Sequence, residues 1–160
     1  MKTILLLISL ALLGSQVHAD TLGIIINGKA IHLDDNEWNE DNWGTGVQYE
    51  FSAHGHWTPF LSISGFIDSN RNNSYYAGGG YKYRIDSLSA RDDSFRVELG
   101  GNAFLMTRKN YLENKPFFGA LPVLTIGSRN LDLNITYVPP IAPKLIPLFF
   151  MQAVYKIELD

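Results

Sequence analysis

The chain has 160 residues, no cysteine, and 13 basic against 16 acidic side chains, a formal charge of −3. An acidic balance argues against a nucleic-acid partner, which calls for a basic face, and zero Cys excludes a disulfide framework and a thiol nucleophile. The length suits one domain and leaves little room for a second.

In chain order, Lys2 precedes an apolar run over 4–13 and then Val17-His18-Ala19. A charged start, a short apolar core and a small-residue cleavage site predict a secretory signal peptide over 1–19, leaving a single domain over 20–160. The run is too short to be a spanning helix. Without Lys2, 12 basic residues face 16 acidic ones. No later stretch has the length and apolarity of a transmembrane helix, so any passage through a membrane must be made by a closed sheet.

Strand-type alternation then recurs. Leu131, Leu133, Ile135 and Tyr137 interleave with Asp132, Asn134 and Thr136, and Phe95, Val97 and Leu99 interleave with Arg96 and Glu98. A period of two gives one apolar and one polar face. Reading breakers as loops predicts eight strands over 23–31, 43–52, 57–67, 74–84, 94–106, 118–127, 130–138 and 147–157. The expected fold is all-β, an eight-stranded antiparallel transmembrane β-barrel in an up-and-down meander. Alternation alone does not say which face is inside. Gly78, Gly79 and Gly80 interrupt the fourth strand, either to curve the wall or to bare a patch of the bore. Pro122, Pro139 and Pro140 sit near strand ends and donate no ladder bond, so the wall is expected to open locally.

The connections over 34–42, 68–73, 107–117 and 139–146 are mostly the longer or more polar ones, and outer-membrane barrels put such loops on the outside. His32 then ends strand one at the outer rim, and Asp68 and Ser69 end strand three at the same rim. His54 and His56 fall in a turn at the far end. A Ser hydroxyl needs a base to take its proton, and His is the usual one. A carboxylate can orient or stabilise the imidazolium. Asn70, Arg71, Asn72 and Asn73 offer donors for a developing oxyanion. Against this, Asp-Ser at a strand end is often only a turn, and adjacent strand residues point to opposite faces. Asp34, Asp35, Glu37, Glu40 and Asp41 match no Ca²⁺ loop spacing and read as a solvated loop.

Four segments resemble the PagP family of outer-membrane lipid A palmitoyltransferases. They are Asn39-Glu40-Asp41-Asn42-Trp43-Gly44-Thr45-Gly46, Phe66-Ile67-Asp68-Ser69 continuing to Tyr76-Ala77-Gly78-Gly79-Gly80-Tyr81, Leu121-Pro122-Val123-Leu124, and Thr136-Tyr137-Val138-Pro139. The resemblance implies transfer of a palmitoyl-like chain from a glycerophospholipid to lipid A in the outer leaflet of a Gram-negative outer membrane, with no metal or organic cofactor. It implies catalytic roles for Asp68 and Ser69, and for His32 if the first loop is shortened. An ungapped reading puts Ile25 at that place, and a smaller gap Asn27. It further implies that Gly80 sets the depth of the acyl-chain site and that Pro139 flanks a lateral opening. A non-catalytic outer-membrane barrel, structural or lipid-binding, and a soluble barrel holding an apolar ligand are the alternatives.

Overall fold

A computed structural model describes residues 19–92, 94–140 and 146–159. The expected signal peptide lies almost wholly outside the described residues. Eight strands follow one another: β1 (Ala19–His32), β2 (Asp41–Phe51), β3 (Trp57–Ile67), β4 (Asn73–Arg84), β5 (Arg96–Arg108), β6 (Phe117–Gly127), β7 (Leu131–Val138) and β8 (Leu148–Glu158). Each pairs antiparallel with the next, and β8 closes on β1. The eight expected strands are all present, with the largest difference at the start of β1, which begins at Ala19 rather than Gly23. The helical segments among the described residues are two 3₁₀ turns, Asp86–Leu88 and Leu112–Asn114.

The barrel is polar inside and apolar outside, which settles the sense that alternation left open. Leu61, Ile63, Leu99, Leu105 and Leu131 point outward and are more than half exposed. Trp43, Tyr75 and Phe118 ring the outside near the end that carries His32, and Trp57, Tyr81 and Tyr83 ring the other. Apolar walls between aromatic girdles are what a membrane-spanning barrel presents to lipid.

The bore has two unlike halves. In the half away from His32, Lys82 Nζ contacts Glu50, lies 3.2 Å from Glu98 Oε2 and 3.8 Å from Asp132 Oδ2. Lys156 Nζ lies 3.2 Å from Asp132 Oδ2, and Arg96 Nη2 donates to Asp132 Oδ1 at 2.6 Å. Three cations meet three carboxylates, and Lys82, Glu98 and Asp132 are almost wholly buried. Removing one member of such a group leaves an unpaired buried charge, at a cost of about 3–5 kcal/mol. Above it lies an amide and hydroxyl layer. Asn27 Nδ2 donates to Ser64 Oγ at 2.7 Å, and Gln152 Nε2 donates to Asn27 Oδ1 at 2.6 Å and Tyr76 Oη at 2.9 Å.

Above that layer the inward positions become apolar: Phe66, Tyr76, Phe104, Met106, Leu121 and Phe150, all only partly buried. The Phe66 ring sits 5.0 Å from that of Phe150 and 6.4 Å from that of Tyr76. Together they line an apolar upper section of the bore, the cup, over a polar floor. Small residues in the wall make room for these rings. A Cβ on Gly119 would come within 2.6 Å of the Phe104 ring.

Two irregularities matter for the site. Asn27 pairs with Gln152 and Ala30 with Phe150, so β1 carries one extra residue at Gly28-Lys29. Such a bulge flips the side chains beyond it to the other face. Gly23, Ile25 and Asn27 face inward, Lys29 faces outward to Asp41, 2.6 Å away, and Ala30 and His32 face inward again. The second irregularity is in the β6–β7 ladder, which runs only from Gly127–Asp132 to Val123–Thr136. The upper part of β6, from Phe117 to Pro122, pairs with β5 but has no β7 partner in that ladder.

Candidate active site

The bulge delivers His32 to the mouth of the cup, where its Nε2 lies 2.9 Å from Ser69 Oγ. These residues stand 37 positions apart in the chain, and the closure of β1, β2 and β3 brings them together. Trp38 stacks on the imidazole, with ring centroids 5.6 Å apart and planes 23° from parallel. Asp34 holds that indole in turn, accepting from Trp38 Nε1 at 2.9 Å. The Asn36 side-chain amide, and after it the Trp38 indole, hold the Asp34 carboxyl below the usual carboxylate range. His32 Nδ1 is buried with no hydrogen-bond partner among the described residues.

Asp68 faces the bore, while Ser69 stands in the turn that follows. The carboxylate organises that turn. Oδ1 accepts the backbone N–H of Asn70 at 2.9 Å and of Asn72 at 3.0 Å, while Oδ2 accepts the Ser74 hydroxyl at 2.9 Å and Arg108 Nε at 3.4 Å. Such Asx bonding explains how adjacent Asp and Ser side chains serve one site, because the backbone leaves extended geometry between them. Asp68 is only 1% exposed. Asn70 and Asn72 are two of the four residues expected from the sequence to offer oxyanion donors, and their backbone N–H groups are taken by this carboxylate. Arg108 brings a positive charge to the loop that carries Ser69.

The first loop is tied to the second. Asn39 N donates to Ser69 O at 3.1 Å, Asn39 Nδ2 to Asp68 O at 3.1 Å, and Asn42 Nδ2 to Ile67 O at 2.7 Å. The three amide bonds fix the Ser69 turn against the first loop and the start of β2. Sequence reading gave no role to Trp38, Asn39, Asn42 or Arg108. Arg108 had a signal, since it continues the inward series Phe104, Met106 one step past the expected end of β5.

The remaining candidates fall elsewhere. Gly80 faces the bore one inward step above Lys82, level with Phe60 and Asn102. A Cβ there would run into the Gly101 carbonyl of β5, so this glycine also lets two strands approach closely. Pro139 follows the last residue of β7 beside the unpaired stretch of β6, and neither it nor Pro122 has an N–H to close that gap. His54 and His56 lie at the opposite end of the barrel, where His54 bridges to Trp57. Ile25 and Asn27 are buried in the bore wall below the mouth.

A hydroxyl on an imidazole at the mouth of an apolar cup is equipped for acyl chemistry, and the chain has relatives of that kind. The family model described as "Antimicrobial peptide resistance and lipid A acylation protein PagP" matches residues 30–150. The lipid A acyltransferase PagP of Bordetella pertussis is 30% identical over 103 residues, 64% of this chain and 54% of its own length. That of Methylobacillus flagellatus is 28% identical over 103 residues, 64% of this chain and 53% of its own. The chain thus spans about half the length of the relatives it matches. Among solved structures, Neisserial surface protein A superposes with a TM-score of 0.52 at 12% identity, over 88% of this chain and 97% of that one, a likeness of fold alone. With its model match over most of the barrel and these relatives, this chain belongs to the PagP family.

Proposed function

We propose that the protein moves a fatty acyl chain, palmitoyl or close to it, from a glycerophospholipid to lipid A in the outer leaflet of the outer membrane. The observation that carries this reading is the 2.9 Å contact between His32 Nε2 and Ser69 Oγ above an apolar cup. With its proton on Nδ1, the imidazole offers the Nε2 lone pair to the Ser69 hydroxyl. As Ser69 Oγ attacks the donor's ester carbonyl, the hydroxyl proton passes to Nε2, and the imidazolium returns it to the departing lysophospholipid oxygen. The acceptor hydroxyl then repeats the cycle and releases Ser69. The same pair serves a direct transfer in which Ser69 relays the acceptor's proton to His32.

Asp68 acts in this scheme as a positioning residue, since its carboxylate holds the Ser69 turn and Arg108. The acyl chain lies in the cup among Phe66, Phe104 and Phe150, and its end stops near Gly80 and the polar layer. Donor lipid enters sideways through the gap between β6 and β7, beside Pro139. The signal peptide over 1–19 directs export and is removed after Ala19.

Mass spectrometry of lipid A from cells with and without the protein tests the reading. One added acyl mass is expected with the wild type and none with Ser69→Ala at equal barrel expression. Identical lipid A profiles with and without well-expressed wild type would sink it, in favour of a non-catalytic barrel.

A further inference from the structure

A concavity of about 810 Å³ lies on the outside of the wall, across β2 to β5, and the scheme above leaves it unused. Two cross-strand rows form its bed: Thr45–Gly65–Tyr75–Thr107 and Val47–Ile63–Ala77–Leu105. Gly65 and Ala77 raise almost nothing above the backbone, while Trp43 and Tyr75, each 57% exposed, stand up beside them. The result is an apolar trough. The Tyr75 ring leans against its bed, so that a Cβ on Gly65 would come within 2.8 Å of the ring.

The trough opens at its outer end into a second concavity of about 390 Å³, lined by Arg71, Asn72, Asn73, Tyr75, Lys109 and Asn114. Asn73 and Tyr75 belong to both. Nearby cations are engaged, Arg108 with Asp68 and Lys115 with Glu113. Arg71 and Lys109 make no ion pair among the described residues. Arg71 is held with φ at 59° by its N–H bond to Asp68 O, so the bend that presents it is the turn that carries Ser69.

Two unpaired cations and several side-chain amides above an apolar trough complement an amphiphile with a phosphorylated, hydroxyl-rich head. We propose that this outer-wall site docks lipid A. Its phosphate rests on Arg71 and Lys109, its sugar hydroxyls on the amides of Asn72, Asn73 and Asn114, and one acyl chain along Gly65 and Ala77. The choice of lipid A rests on the acyl-transfer reading, because it places the acceptor's head two residues from Ser69. The pairing of charge with trough does not rest on that reading.

The test is native mass spectrometry of the full chain in detergent, titrated with bisphosphorylated lipid A and, in parallel, phosphatidylglycerol. Lipid A should be retained, with affinity falling about fivefold in Arg71→Gln and about thirtyfold in the double variant with Lys109→Gln. Ala77→Trp, which fills the trough from a lipid-facing position, should also weaken retention while leaving the folded barrel's gel mobility unchanged. Equal retention by the wild type and the double variant overturns the site. Phosphatidylglycerol held as tightly as lipid A overturns the assignment of the occupant. Ser69→Ala should bind lipid A undiminished. Binding without turnover therefore tells a failed transfer reading from a failed docking site.

Discussion

The upper and lower halves of the bore are made of opposite chemistry. The lower half closes on itself, with Lys82, Lys156 and Arg96 set against Glu50, Glu98 and Asp132. The upper half is an apolar, partly exposed cup with a histidine and a serine at its lip. The lower half has every reason to stay shut, since its buried ions compensate one another. The upper half exposes apolar surface that a lipid chain would cover. Stability and chemistry are therefore separable along the barrel axis, and substitutions in the two halves should have different signatures.

The largest expected effect is His32→Asn. Acyl transfer should fall by about 10²–10⁴-fold, the range for loss of a general base, while urea unfolding in micelles stays where it was. A parallel loss of stability would break the comparison. Lys82→Ala should do the reverse. It takes from Glu50 and Glu98 the cation they share, leaving Lys156 4.0 Å from the one and Arg96 3.5 Å from the other. It should cost about 3–5 kcal/mol in unfolding free energy because the buried cluster is left one positive charge short, with the transfer rate of the still-folded protein close to wild type. An unchanged unfolding midpoint would show that the lower cluster is not what holds the barrel.

Asn42→Ala sharpens the boundary between the halves. It takes the amide donor from Ile67 O at the top of β3, and about 1 kcal/mol is expected for the loss of this part-buried bond. Because Ser69 hangs from that strand end, activity should fall as well, measured beside stability in one preparation. The smallest effect belongs to Asp34→Asn, which weakens the hold on Trp38 and should slow transfer about twofold. The Asp34 carboxyl titrates below its ordinary value. Its grip on the indole is therefore complete above the ordinary carboxylate pKa and is lost only as pH falls through the depressed value. Trp38 fluorescence should show a transition below the ordinary carboxylate range, and in Asp34→Asn that acid transition should be absent.

Much of the fold was legible because a barrel writes itself as period two. The alternation around Leu131–Tyr137 and Phe95–Leu99 maps onto β7 and β5, and the inward polar series contains the ions of the lower bore. What alternation does not carry is which ion meets which. Lys82 and Glu50 lie 32 residues apart, and only closure of the sheet pairs them. The meeting of His32 with Ser69 was legible from loop order, since both end strands at one rim. The partners of Asp68 were not. An Asp beside a Ser and near a His invites a triad reading, but local N–H groups in the Asn70–Asn72 turn compete for the same carboxylate, and they win here. The outer-wall trough was invisible for another reason: it depends on which small residues of four strands fall side by side.

The extra residue at Gly28-Lys29 has a consequence for how this site tolerates insertion and deletion. Beyond it, orientation on β1 is binary. Removing one residue there would turn the imidazole from the cup to the hydrocarbon, with no change at position 32 itself. A lineage can move its base along this strand by two residues at a time, or by one only with a compensating kink. A rim imidazole on this strand can thus shift in position and still point at the serine, and comparison by facing direction will find it where comparison by column does not.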